Sequence, residues 1–202
     1  MPDLVIPDKE TPLVSGRLAV SFRDLEQAIF AESGGPLVAF LENVMGCRDV
    51  SAGPWLDDAA EDAGASRQQL QRSQYQLPLP DDVPEVAARL LGLGKLVSSS
   101  TFTRISRNAG HIILQQSSRT EGLLYSERMR VMNVHMLEAD ASGGVAWRTW
   151  TRILWTKALP WTHTFIGKII DGRVKAETKA NAPKLMMVLG EAATAVNAST
   201  SR

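Results

Sequence analysis

Three histidines, one cysteine and a scatter of carboxylates are the residues of this chain that could do acid–base, nucleophilic or metal chemistry. His111, His135 and His163 are far apart, and none belongs to a ligand-spaced pair such as HExxH, which sets two imidazoles on one helix face. No GxSxG elbow, Walker loop or dinucleotide fingerprint is present. The glycines of LGLGK at 91–95 follow no strand, so they read as a helix stop. Cys47 is the only cysteine, which excludes an intramolecular disulfide and a cysteine metal cluster. A structural thiol near a helix end is the simpler reading, although Arg48 beside it could activate it. The expectation is a chain with no catalytic residue, no metal and no cofactor. Glu127 with His135 is the acid/base pair to test against it.

The pattern that suggests binding lies between Val145 and Trp155. Alternation puts Val145, Trp147, Thr149, Thr151, Ile153 and Trp155 on one face and two arginines, Arg148 and Arg152, on the other. Burying guanidinium groups is costly, so the tryptophan face points inward. Threonines among large apolar residues suit a cavity wall with hydrogen bonds for a ligand, or a filled core in which they satisfy each other. In the preceding strand neither face is cleanly apolar. This predicts a bulge that swaps faces, with Met129 and Val131 inside. Tyr75, in the strand read over Gln71 to Leu79, joins the same candidate wall.

The elements that must hold these residues follow from periodicity. RLAVSF at 17–22 alternates as a strand, and Asp24 is placed to cap a short helix with Gln27 three residues on. Ser33-Gly34-Gly35 breaks that helix, Pro36 opens another, and Leu37, Phe40, Leu41 and Val44 give it one apolar face. An acidic Ala/Gly-rich loop follows Trp55, expected to be mobile and able to gate a pocket. A helix is expected from Asp82 to Leu91. Strands over Thr101–Ser106, His111–Ser117, Leu123–Leu137 and Val145–Leu159, joined by short turns, form an antiparallel meander. After Pro160 the period becomes helical. Trp161, Phe165 and Ile169, with Ile166, Ile170 and Val174, supply an apolar stripe, and Pro183 is expected to kink or end the helix.

At 202 residues, with 44% hydrophobic and 22% charged residues, the chain fits one soluble domain. No apolar run approaches the roughly 18 residues that span a bilayer, and the N-terminus lacks the pattern of a signal or transit peptide. Location is therefore expected to be cytoplasmic. Net charge is zero, which gives nucleic-acid binding no global support. Basic residues concentrate between Arg148 and Lys184. Their simple reading is a solvated helix face with partners such as Asp171 and Lys175. The functional reading is peripheral docking of Arg173, Lys175 and Lys179 on an anionic membrane surface.

Strand, two short helices, several antiparallel strands and a long C-terminal helix is the helix-grip plan of the START-like (SRPBCC) superfamily, which this chain resembles. From about Leu18 to Ala193 it looks like a VASt-type domain, the START-like module of eukaryotic sterol-transfer proteins. FRDLEQAIF, GPLVAFLENVMGCRDVSAGPW, YQLPL and GGVAWRTWTRILWTKALPW carry the likeness. PDDVPEVAARLLGLGKLV departs from that family and looks more like single-domain bacterial START-like proteins.

The resemblance implies an α+β fold, a curved antiparallel sheet wrapped around a long C-terminal helix. A START-like domain would span 17–196, between a flexible segment at 1–16 and a disordered tail at 197–202. It implies a hydrophobic small-molecule ligand, a sterol or other lipid, held between sheet and helix against the residues named above together with Phe165 and Ile169. The alternatives are a START-like enzyme of cyclase, dehydratase or hydrolase type, and a ligand-free interaction module.

Overall fold

A computed structural model describes residues 10–30, 35–57, 67–79, 95–108, 110–122, 125–161 and 164–200. The acidic loop after Asp57, the helix expected from Asp82, and His163 lie outside the described residues. The chain runs β1 (Val14–Leu18), α1 (Phe22–Ile29), α2 (Gly35–Ala39), a wider π-type turn (Phe40–Val44), β2 (Arg48–Ala52), β3 (Leu56–Asp57), β4 (Arg67–Pro78), β5 (Leu96–Asn108) and β6 (His111–Thr120). A single 3₁₀ turn (Ser126–Arg128) then precedes β7 (Met129–Ala139), β8 (Val145–Trp155) and α3 (Thr164–Thr200).

The strands form one eight-stranded antiparallel sheet, ordered β1-β8-β7-β6-β5-β4-β2, with β3 also on β4. β5 to β8 are the expected meander, β4 extends it by pairing antiparallel with β5, and β1 returns to pair with β8. The sheet is curved and unclosed, and α3 packs on its concave face, an α+β architecture consistent with a helix grip.

β1 starts earlier than the alternation of RLAVSF suggests, because Gly16 pairs with Trp147. A Cβ at Gly16 would lie 2.6 Å from the indole, so the missing side chain gives the ring its room. Ser21, not Asp24, caps α1, its Oγ accepting from the Asp24 amide at 3.1 Å. The bulge expected in β7 does not occur, since its register with β6 and β8 is continuous. Neither face of β7 is left to solvent alone: Val131, Asn133, His135 and Leu137 face the concave side and an apolar group covers the other. Met132, Val134 and Trp150 pack together on the convex side with Ile113 and Met136, and Trp150 Nε1 donates to the Glu10 carbonyl at 2.9 Å.

α3 runs through Pro183 and past the expected domain end at Val196, where Asn197 Nδ2 donates to Asp24 at 3.1 Å. Ala182, Leu185, Met186, Leu189 and Ala193 on its inner face meet Leu25 and Ile29 of α1 and Ile112, Leu114, Leu137, Val145 and Trp147 of the sheet. Burying each large aliphatic side chain here stabilises by about 1.5–3 kcal/mol. Among the described residues, no helix is long and apolar enough to cross a membrane.

Candidate functional site

Beside this core the concave face changes character. A cavity of about 220 Å³ lies between β4 to β7, the α2 region and the middle of α3. Leu37, Phe40, Leu41 and Met45 close one side, while Val174, Thr178, Ala182 and Leu185 form the helical roof. The tandem short helices serve this wall. The π-type turn carries Phe40 and Leu41 onto it, and the Cys47 amide bonds back to the Leu41 carbonyl at 2.9 Å. The Cys47 thiol is buried and its pKa is pushed up to about 11 by that burial. It is a packing residue here, not a thiolate.

The sheet side of the cavity is a wall of hydroxyls and amides. Tyr75 Oη lies 2.9 Å from Thr101 Oγ1, which lies 2.8 Å from Ser118 Oγ, so three strands are linked by one chain of hydrogen bonds. Ser99 donates to Thr120 at 3.1 Å one rung away. Burial raises the pKa of Tyr75, while its bond to Thr101 opposes the shift. The phenol is therefore a neutral donor or acceptor at ordinary pH.

His135 is the centre of a second group. Its Nδ1 lies 2.8 Å from Thr149 Oγ1 and its Nε2 3.4 Å from Gln116 Oε1. Facing an amide oxygen, Nε2 holds the ring proton, and Nδ1 accepts from the threonine hydroxyl. The ring is 2% exposed, and desolvation pulls its pKa down to about 4. Next to it, Thr151 donates to Asn133 Oδ1 at 2.7 Å, and Thr178 of α3 reaches the same oxygen at 3.4 Å. Such networks keep polar groups tolerable in a buried wall, because each unmade hydrogen bond costs about 1–3 kcal/mol.

Of the residues expected at the site, Tyr75 and Val131 line the cavity directly. Thr149 stands behind His135, and Thr151 behind Asn133, so both shape the wall through partners they hold. Val145 and Trp147 belong to the dry core instead. Met129, Ile153 and Trp155 are half-buried, and Trp155 lies beside Gly167, where a Cβ would be 3.7 Å from its ring.

Phe165 and Ile169 correct the expectation. They are 60% and 63% exposed, and Trp161 is 85% exposed. A helix buries only the stripe that meets the sheet, and Val174, Thr178, Ala182 and Leu185 already fix that stripe. Phe165 and Ile169 stand about half a turn away from it. Arg173 and Lys175 pair along the helix with Glu177 at 3.0 Å and Asp171 at 2.7 Å, and Lys179 is exposed.

Glu127 and His135 do not come together. The carboxylate is on the 3₁₀ turn, exposed and 3.5 Å from Arg128, while the imidazole is inside the wall. Among the described residues, no three His, Cys, Asp or Glu side chains converge as a metal site.

The residues that reasoning from sequence missed are Ser99, Thr101 and Thr103 of β5, Gln116 and Ser118 of β6, and Asn133 and Thr178. VSSSTFTRIS is polar on both alternating faces, so its periodicity gave no inward direction. Ion chemistry at the wall is sparse. Glu177, at the rim, is the carboxylate among the described lining residues, and no lysine or arginine is among them. Comparison of the chain with protein-family models gives no match. Comparison with curated proteins likewise gives none.

Proposed function

We propose that this chain is a binding module for a compact, uncharged amphipathic molecule, held beneath α3 in a START-like helix grip. The observation that carries the reading is the composition of the cavity wall. Leu37, Phe40, Leu41, Val131 and Leu185 offer an apolar half, and Tyr75, Thr101, Ser118, Asn133 and His135 offer neutral donors and acceptors. A ligand with a hydrocarbon body and one or two hydroxyl or carbonyl groups satisfies both halves. An anionic headgroup does not fit, because an ionised group buried without a cation is heavily penalised.

The size narrows the lipid expectation. At about 220 Å³ the space falls below the roughly 300 Å³ where drug-sized pockets begin. It takes a small molecule whole, or one end of a sterol or other neutral lipid whose remainder projects past Glu177. The reading is of binding, and of transfer where the ligand is handed on, with no chemical step assigned to the wall.

Native mass spectrometry of the purified protein tests it, followed by titration with a fluorescent sterol, a fatty alcohol and a fatty acid. The expected result is a neutral adduct, or saturable binding of sterol or alcohol that the fatty acid does not match. Saturable binding of none of the three, with no adduct, sinks the proposal.

A further inference from the structure

The convex face of the sheet, opposite the cavity, holds a pair of cations that the binding reading does not use. Ser118 and Val131 pair across β6 and β7 and line the cavity side. One further step in that register sets Arg119 opposite Arg130 on the other face. Arg130 pairs with Leu154 of β8, and Arg152, opposite Met132, stands on the same face.

Residues directly opposite in an antiparallel pair have Cβ atoms about 4.5–5.5 Å apart, where like charges are destabilising. The charge of Arg119 adds to burial in lowering the pKa of Arg130, burial being the larger cause. Among the described residues, neither guanidinium has a carboxylate at ion-pair distance. Glu127 is held by Arg128, and Glu138 by Arg148. Arg119 Nε is buried with no hydrogen-bond partner, and Arg130 spends one N–H on the Met129 carbonyl at 3.1 Å. Other arginines are answered locally, Arg17 by Asp140 and Arg72 by the face of Phe102. Ser100, opposite Arg119 on β5, and Ser117 add hydroxyls to the same face.

We propose that Arg119 and Arg130, with Arg152 at the edge and Ser100 and Ser117 beside them, form a binding site for a phosphate group. Two facing guanidinium forks match the tetrahedral oxygens of a phosphate, and the anion removes the repulsion between them. The buried Arg119 Nε gains the acceptor it lacks. The phosphate could arrive on a soluble metabolite or as a lipid headgroup, and the same site chemistry serves both.

The full chain is tested in two arms. In the first, its thermal midpoint and calorimetric binding are followed with inorganic phosphate against sodium chloride at matched ionic strength. In the second, it is sedimented with phosphatidylcholine vesicles with and without phosphatidic acid. Saturable phosphate binding without vesicle capture assigns the site to a soluble phosphorylated molecule. Capture that requires phosphatidic acid assigns it to a headgroup, and either result supports the site. Arg119→Gln and Arg130→Gln should each weaken the response at least tenfold, while Arg23→Gln on the exposed side of α1 leaves it unchanged. Arg130→Gln should also melt higher than the parent in phosphate-free buffer, because the repulsion is gone. Absence of binding in both arms overturns the proposal. So does a pair of arginine variants that respond like the parent, whatever their melting temperature.

Discussion

Beneath α3 the concave face of one sheet is built in two chemistries. Toward α1 the space is filled: Leu25, Ile112, Leu114, Leu137, Val145 and Leu189 are all 0% exposed. Below Val174 to Ala182 the same strands present Ser, Thr, Gln, Asn, Tyr and His, and about 220 Å³ is left open. The strand geometry is continuous between the two, so backbone does not set the difference. What differs is how the inward side chains lower their free energy. Apolar groups do so by close packing, which removes space. Polar groups do so by directional bonds, which fix their positions and resist collapse onto one another.

Truncation should separate the two regions most strongly. Leu189→Ala in the filled half should cost about 2–5 kcal/mol, since it leaves a cavity that packed neighbours cannot close. Thr101→Ala in the open half should cost at most about 1–3 kcal/mol, because Tyr75 and Ser118 lose a bond and only one methyl group goes with it. Chemical denaturation of both variants measures the contrast. Equal losses would mean that the polar wall is as tightly packed as the core.

Acid should act on the polar half alone. The folded protein holds His135 neutral, with its pKa near 4, against an ordinary value near 6.5. Below the unfolded value the unfolded chain binds the extra proton, so stability falls as pH drops. The contribution is complete above about pH 6.5 and is lost progressively down to about pH 4, amounting to about 3 kcal/mol. Urea titrations across that window should show this slope in the parent and a flatter one in His135→Gln. An equal slope in the variant would move the effect to other groups.

Enlargement should give the smallest but most specific difference. Val145→Phe in the filled half should cost about 1–3 kcal/mol through overpacking. Val131→Phe projects the same extra ring into open space and should leave stability within about 1 kcal/mol of the parent. If both substitutions destabilise alike, the open half has no room for a ligand.

These contrasts also explain what could be read in advance. The meander, the tandem helices and the long final helix were legible, because turn residues and hydrophobic periods are local signals. The inward face of β8 was legible too, since Arg148 and Arg152 mark the other side. β7 was not, because Met132 and Val134 pack on the convex face while Asn133 and His135 are turned inward, reversing the usual sense of polarity. The wall from β5 and β6 was hidden for the same kind of reason. A serine and threonine run turns inward only because Tyr75, Thr101 and Ser118 satisfy one another across three strands. Phe165 and Ile169 show the opposite failure. Their spacing is helical, but the sheet had already taken a different side of the helix.

The most direct test of the account is a matched pair of ligands, 1-octanol and octanoate, titrated calorimetrically at about pH 8, where the acid is ionised. Saturable binding of the alcohol is expected, at least tenfold tighter than that of the carboxylate, and it should be lost in the stable Val131→Phe variant. Equal affinity for the two ligands, or alcohol binding that survives Val131→Phe, would contradict a neutral-ligand site beneath α3.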